Sequence, residues 1–127
     1  MNQMSLVSIC KEYGLSRRAI QGYEKAGLVG PTSKTNKGYL VYDEKAIHRI
    51  LFIKYCQNIG FKVKQISEFI NEPKEIIKEK IINQISILET DLNRTKKLIN
   101  DSKRIIDLLG KDNCDEAIFK ITRKENI

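Results

Sequence analysis

Arg17, Arg18 and Gln21 are the side chains of this 127-residue chain that are best suited to recognising another molecule. A guanidinium group offers a rigid fork of donors that fits phosphate oxygens or the edge of guanine, and a glutamine amide can pair with adenine. Positions three and four apart on a helix share one surface, so the three side chains would project together. This spacing favours a helix that binds a polyanion, although a basic pair alone is also compatible with an ordinary solvated helix.

Thiol and imidazole groups are few and scattered along the chain. Cys10, Cys56 and Cys114 form no CxxC pair and His48 is the single histidine, so we expect no metal site and no cofactor. Cys10 and Cys56 fall on apolar helical stripes and are interpreted as small buried hydrophobes. Cys114 has acidic neighbours and no histidine nearby in the sequence, which argues against a thiol enzyme, while a sensor role for this cysteine stays open. His48 is interpreted as a surface residue, with a phosphate contact as the alternative.

Two short helical patterns position the basic residues, and they flank Gly14-Leu15-Ser16 between Val7 and Leu28. Ser5 can cap the first helix and Ser16 the second, and Gly14 can adopt the left-handed conformation that ends a helix. The inward stripe of the second helix consists of Ala19, Ile20 and Tyr23. This is the outline of a helix-turn-helix, whose second helix meets base edges and phosphates in DNA.

A hairpin is predicted next, because the periodicity becomes extended after Pro31 and Asn36-Lys37-Gly38 can supply the turn. Such a basic loop has the form of a wing, which would touch phosphates through Lys34, Lys37 and Tyr39. A merely solvated hairpin is the alternative. Asp43 can cap a third helix that ends at Gly60, and a short fourth helix is predicted over residues 64–70.

One long helix is predicted from Lys74 to Leu109, since no Gly or Pro interrupts this stretch of 36 residues, which spans about 54 Å. Its apolar seam alternates steps of four and three residues: Ile81, Ile85, Leu88, Leu92, Thr95, Ile99, Ser102, Ile106 and Leu109. That heptad spacing predicts a coiled coil with a second copy of the chain, hence a homodimer. A long helix folded against its own N-terminal domain is the alternative.

Charge divides the chain into a basic part and a nearly neutral part. Residues 1–70 carry 11 Lys and Arg against 5 Asp and Glu, whereas residues 71–127 carry 12 against 11. This distribution is expected for a basic domain that binds a polyanion and is joined to a nearly neutral segment that binds protein. The apolar runs are too short for a membrane span or a signal peptide, so we expect a cytoplasmic protein with no membrane partner.

Residues 5–70 resemble the DNA-binding domain of the MerR family of bacterial transcription regulators. The matching segments are Gly14-Leu15-Ser16, Arg18, Ile20, Tyr23 to Leu28, Gly38-Tyr39, Tyr42-Asp43, Phe52-Ile53-Lys54, Gly60-Phe61 and Ile66. The resemblance implies DNA contacts from Arg18, Tyr23 and Tyr39, antiparallel pairing of the long helices, and RNA polymerase as a further partner. It also implies that a bound dimer bends and untwists the promoter spacer, which is control through DNA shape.

The predicted fold class is therefore mainly α: a winged helix-turn-helix domain with a small β-hairpin wing (1–72), a long antiparallel coiled-coil dimerisation helix (73–110) and a short C-terminal tail (111–127) with at most one helical turn or strand. The predicted contacts to double-stranded DNA are Ser16, Arg17, Arg18, Gln21, Tyr23, Lys34, Lys37 and Tyr39. The predicted function is a dimeric, sequence-specific transcriptional regulator of an inverted-repeat promoter site. A winged-helix adaptor for proteins and an architectural DNA-bending protein are the alternatives, and no effector ligand is indicated.

Three positions depart from the family pattern. Gln21 and Gly22 stand where the family usually has arginine and tyrosine, and Leu40 stands where an arginine usually follows the Gly-Tyr of the wing. Glycine inside a helix costs about 1 kcal/mol relative to alanine. Gly22 therefore either permits a close approach to the backbone or leaves the helix locally weak.

Overall fold

The structure is a computed structural model that describes residues 3–125. In chain order its elements are β1 (Met4–Ser5), α1 (Leu6–Tyr13), α2 (Arg17–Lys25), β2 (Ser33–Lys34), β3 (Leu40–Tyr42), α3 (Glu44–Asn58), α4 (Val63–Phe69), α5 (Lys74–Leu108) and α6 (Cys114–Glu125). The chain divides into two compact units, one running to Ile82 and the other starting at Asn83. Among the described residues, no helix is long and apolar enough to cross a membrane.

Side-chain caps begin the first three helices at the residues predicted from the sequence. The Ser5 hydroxyl accepts the Ser8 N–H at 3.1 Å, and the Ser16 hydroxyl accepts the Ala19 N–H at 3.0 Å. The Asp43 carboxylate accepts the Ala46 N–H at 2.8 Å. These bonds satisfy backbone donors that have no partner inside the helix, which fixes where each helix starts.

The wing is a three-stranded antiparallel sheet rather than a two-stranded hairpin. β3 lies in the centre, with β2 on one side and β1 on the other. Ser33 lies opposite Val41, and Met4 lies opposite Tyr42. Gly38 has a φ of 85° in the turn, a conformation that glycine adopts without strain. β1 is not predicted by the sequence, because two residues carry no alternating pattern and the strand exists only through its pairing with β3.

The hydrophobic core of the first unit lies between α1, α2, α3, α4 and β3. Its largest fully buried side chains are Tyr23, Tyr42, Ile9, Ile20, Ile50, Ile53, Ile66 and Cys56. Cys56 is a buried hydrophobe as interpreted, and burial raises the pKa of its thiol. Cys10 is half-buried and packs against the same core. Ile77 also packs against this core, so the first turns of α5 belong to the first unit.

The prediction that residues 111–127 form at most one helical turn or strand is wrong, because Cys114–Glu125 form the 12-residue helix α6. Asn113 caps it: its side-chain oxygen accepts the Glu116 N–H at 2.9 Å, and its amide nitrogen donates to the Glu116 carboxylate at 3.0 Å. Ala117 and Ile121 are buried. Asn followed three residues later by Glu is a capping signal that the sequence analysis could have used.

The long helix ends within one residue of its predicted boundary, and its seam is exposed. The large seam residues are all more than two-fifths exposed from Ile85 onward: Ile85, Leu88, Leu92, Ile99, Ile106 and Leu109. Partial burial recurs on a different face, at Asp101, Arg104, Ile105 and Leu108. Within the second unit, the covered face of α5 is therefore not the heptad seam.

Candidate nucleic-acid interface

Helix α2 presents one buried face and one polar face. Ile20 and Tyr23 are buried, whereas Arg17, Arg18 and Gln21 are exposed. Successive residues of a helix are rotated by 100°, so Ile20 and Tyr23, three positions apart, lie on one side of α2. Arg17, Arg18 and Gln21 lie on the other side. The helix is thus held to the core by its apolar side while its basic side remains in solvent.

The N-terminal half of α2 borders a groove that it shares with the wing. The groove has a volume of about 260 Å³, and its walls include Arg17 and Gln21 on one side and Gly38, Tyr39 and Leu40 on the other. The start of α1 completes the wall with Ser5, Leu6 and Val7. Donor-rich side chains from a helix and an exposed aromatic ring from a wing therefore face the same space.

Three hydrogen bonds fix the C-terminal half of α2 and the turn after it. The Tyr23 hydroxyl donates to the Gln57 side-chain oxygen at 2.5 Å, and the Tyr42 hydroxyl donates to the Glu24 carboxylate. The Arg49 Nε donates to the Leu28 carbonyl at 3.0 Å. These bonds tie α2 and its C-terminal turn to α3 and to β3, so that the polar face is held in one orientation.

Both tyrosines stay protonated in this environment. Burial raises the pKa of Tyr23. Burial also raises the pKa of Tyr42, and the hydrogen bond and negative charge of Glu24 raise it further. Each phenol therefore remains a neutral donor at neutral pH. Glu24 and Gln57 are acceptors that the sequence alone does not reveal, because both pairings join residues far apart in the chain.

Seven of the eight predicted DNA contacts lie on the surface. Ser16, Arg17, Arg18 and Gln21 are exposed at or after the start of α2, and Lys34, Lys37 and Tyr39 are exposed on the wing. Arg17, Gln21 and Tyr39 meet around the shared groove. Lys34 and Lys37 belong to the same wing but do not line that groove.

Tyr23 is the exception among the predicted contacts, because only 1% of its surface is exposed. Its ring packs in the core and its hydroxyl is bound to Gln57. It has no free face to offer DNA, so the contact carried over from the family resemblance is corrected to a packing and positioning role. The helical pattern had already placed Tyr23 on the inward stripe.

The cations of this surface have no neutralising partner among the described side chains. Over residues 3–123, Arg18, Lys25, Lys34 and Lys37 have no carboxylate within ion-pair distance. His48, by contrast, is an exposed residue that lies 3.7 Å from Glu44, in line with its interpretation as a surface residue. Cations that keep their charge in water can replace the counterions of a nucleic acid, which favours association with a polyanion.

Potential metal ligands do not cluster among the described side chains. Between residues 3 and 123, no three side chains of His, Cys, Asp or Glu come together in an arrangement that could hold a metal ion. Cys114 is exposed in the first turn of α6. A thiolate site for a soft metal uses several such ligands, so this donor set does not fit one.

Comparisons with known proteins agree on one family. Residues 4–72 match the profile described as MerR HTH family regulatory protein. A relative from Haemophilus influenzae, described as a probable heavy metal-dependent transcriptional regulator, is 30% identical over 102 residues, which cover 76% of this chain and 80% of the relative.

Two solved structures share the fold. A transcriptional regulator of the MerR family from Bacillus cereus has a TM-score of 0.71 at 17% identity, covering 95% of this chain and 93% of the other. HiNmlR is described as a MerR family regulator lacking the sensor domain and bound to promoter DNA. Its TM-score is 0.50 at 20% identity, and the match covers 86% of this chain and 82% of HiNmlR. The helix-turn-helix, the wing and the long helix thus recur in this family.

Proposed function

This chain belongs to the MerR family of helix-turn-helix regulatory proteins and is a DNA-binding transcriptional regulator, and we propose that it acts as a homodimer on an inverted repeat within a promoter. We further propose that it acts in the cytoplasm with RNA polymerase as a partner at that promoter. The proposal of a dimer and of its target is supported by the surface of α5 and by the position of α2.

The exposed seam of α5 carries the proposal of a homodimer. Its apolar residues repeat every three and four positions and stay in water in the single chain, with Ile106 69% exposed. A stripe with this period is complementary to another stripe with the same period, so a second copy is the partner that fits it best. The family resemblance implies that the two helices run antiparallel.

The polar residues of α5 are compatible with such a pairing. The Ser102 hydroxyl donates to the Leu98 carbonyl at 2.7 Å, so its polar group is satisfied inside the helix when the seam is covered. Lys97 and Arg104 both pair with Asp101, at 3.1 and 3.8 Å, and none of these three residues belongs to the seam. The seam positions themselves carry no charged side chain, so a partner that covers them would bury no charge at those positions.

A two-fold dimer would carry two copies of α2, which calls for two half-sites in opposite orientation. Arg17 and Gln21 lie beside the wing and have the donors and acceptors that read guanine and adenine. Lys34 and Lys37 are exposed on the wing and suit phosphate contacts, which position a protein on DNA without reading sequence. We propose that the bound dimer acts on the promoter by bending and untwisting it.

The proposed target is tested by selecting duplexes from a random pool with the full chain and sequencing them. The expected result is an inverted repeat whose binding is lost in the double variant Arg17→Ala, Arg18→Ala. Lys45→Ala, Lys64→Ala is the matched control, because it removes two exposed cations of the same unit that lie outside α2 and the wing. Absence of any duplex binding at low salt would refute the proposal and favour an adaptor for proteins.

A further inference from the structure

Gly22 is a residue of α2 that the fold itself does not require. It lies inside the helix, it is not among the glycines with positive φ, and a Cβ built on it would meet no atom within 4 Å. A glycine in a helix interior destabilises the helix relative to alanine. No contact within the described chain offsets that cost.

The surroundings of Gly22 point to a ligand. Arg18, four residues earlier, and Lys25, three residues later, share its side of the helix and border the same surface depression. Among the side chains of residues 3–123, neither cation has a hydrogen-bond or ion-pair partner. Gln21 and Glu24 also border the depression, and the Glu24 carboxylate accepts the hydroxyl of Tyr42. The result is a notch of bare helix backbone between two unpaired positive charges.

We infer that this notch, formed by Arg18, Gly22 and Lys25, receives the sugar–phosphate backbone of one DNA strand. The inference rests on the proposed binding of duplex DNA. The major groove is about 12 Å wide and a helix with its side chains is about 10–12 Å across, so a missing side chain on one edge lets the helix sit closer to that strand. Arg18 and Lys25 then neutralise the phosphates on either side of the contact.

The two edges of α2 consequently have different tasks. Gln21 and Gly22 point about 100° apart on the helix, and Gln21 borders both the Gly22 depression and the groove beside the wing. Gln21 lies with Arg17 in the groove beside the wing, where base edges would be read. The Gly22 edge packs against the strand backbone, and phosphate contacts there add affinity without adding sequence preference.

The test compares Gly22→Ala with Gly30→Ala, because a Cβ on Gly30 would also meet open space and Gly30 lies outside α2. Melting temperature is measured together with the dissociation constants for a mixed-sequence duplex and for the duplex selected from the random pool. Gly22→Ala should raise the melting temperature by a few degrees. It should weaken binding of both duplexes by the same factor, roughly tenfold. Gly22→Gln should weaken both further, and Gly30→Ala should bind as the wild type does.

Several results would overturn the inference. Wild-type affinity in Gly22→Ala would show that nothing approaches this edge closely. A lower melting temperature would show that the glycine serves the fold, and a loss confined to the selected duplex would show that it faces a base. If the wild type itself binds neither duplex, the proposed function fails, which is a different outcome from wild-type binding that Gly22→Ala leaves unchanged.

Discussion

Leu92→Ala provides a direct test of the α5 seam as a dimer interface. Leu92 lies in the middle of the seam and is 53% exposed in the single chain. Alanine keeps the helical conformation, since it has the highest helix propensity, so the change removes side-chain contact without disturbing the backbone. The variant should therefore fold as the wild type does and differ in self-association.

The expected size of the effect follows from the exposed fraction of Leu92. Full burial of a leucine side chain contributes about 1.5–3 kcal/mol, so the exposed half of Leu92 would contribute about 1 kcal/mol per protomer when a partner covers it. In a symmetric dimer the residue occurs twice, which gives about 2 kcal/mol. This free energy corresponds to a dimer dissociation constant about 30-fold higher for Leu92→Ala.

Sedimentation equilibrium over a dilution series measures the dissociation constant directly. Ile87→Ala is a matched control, because Ile87 is also 53% exposed on α5 but does not belong to the heptad seam. It should leave the dissociation constant close to that of the wild type. Binding to an inverted repeat should weaken in Leu92→Ala, since two half-sites are then engaged by a less stable dimer.

Two results would refute this reasoning. If Leu92→Ala and Ile87→Ala weaken the dimer equally, the heptad pattern does not define the interface. If the wild type remains monomeric at concentrations at which it binds DNA, the seam has another role. In either case, the exposed fraction of Leu92 would not determine the change in the dimer dissociation constant.

Three further predictions concern the first unit. Arg18→Ala should lower the slope of log affinity against log salt by about 1, because one phosphate contact is lost; an unchanged slope would place Arg18 off the DNA. Tyr23→Phe should lower the free energy of unfolding by about 1 kcal/mol in a urea titration, because Gln57 loses its donor, while leaving DNA affinity unchanged. Burial and Glu24 raise the pKa of Tyr42 in the folded chain above its unfolded value near 10, so stability present below about pH 10 should decrease as pH rises further. Tyr42→Phe should reduce that decrease, and parallel curves for the two proteins would contradict the assignment.

The helix boundaries of the first unit could be predicted because their causes are local. Ser5, Ser16 and Asp43 cap helices through bonds to backbone groups three residues away, so a short sequence window contains the necessary information. β1 and the bond from Tyr42 to Glu24 depend on residues that meet only in the folded chain. Such pairings leave no periodic signal in a single sequence.

The predictions for Tyr23 and for α6 differ from the structure for different reasons. At Tyr23, the helical pattern and the family resemblance disagreed, and burial in the core shows that the pattern was the better guide to where the side chain points. At α6, Asn113 and Glu116 form a helix-capping pair that the sequence contains, whereas the shortness of the segment favoured no more than one helical turn. Its buried residues Ala117 and Ile121 also fit an amphipathic helix.

Three features of the described residues are not explained by folding: Gly22 inside α2, the cations without a carboxylate partner, and the exposed apolar seam of α5. Gly14 and Gly38 have positive φ, so the fold requires them, whereas Gly22 weakens α2 without such a reason. Arg18, Lys25, Lys34 and Lys37 have no carboxylate partner among the described side chains, and the seam of α5 leaves apolar side chains in water. A second copy of the chain would cover the apolar seam. DNA phosphates would neutralise the cations, and the DNA backbone would occupy the Gly22 notch. Because each partner would bind the folded state alone, each should raise the stability of the chain by an amount that grows with its concentration.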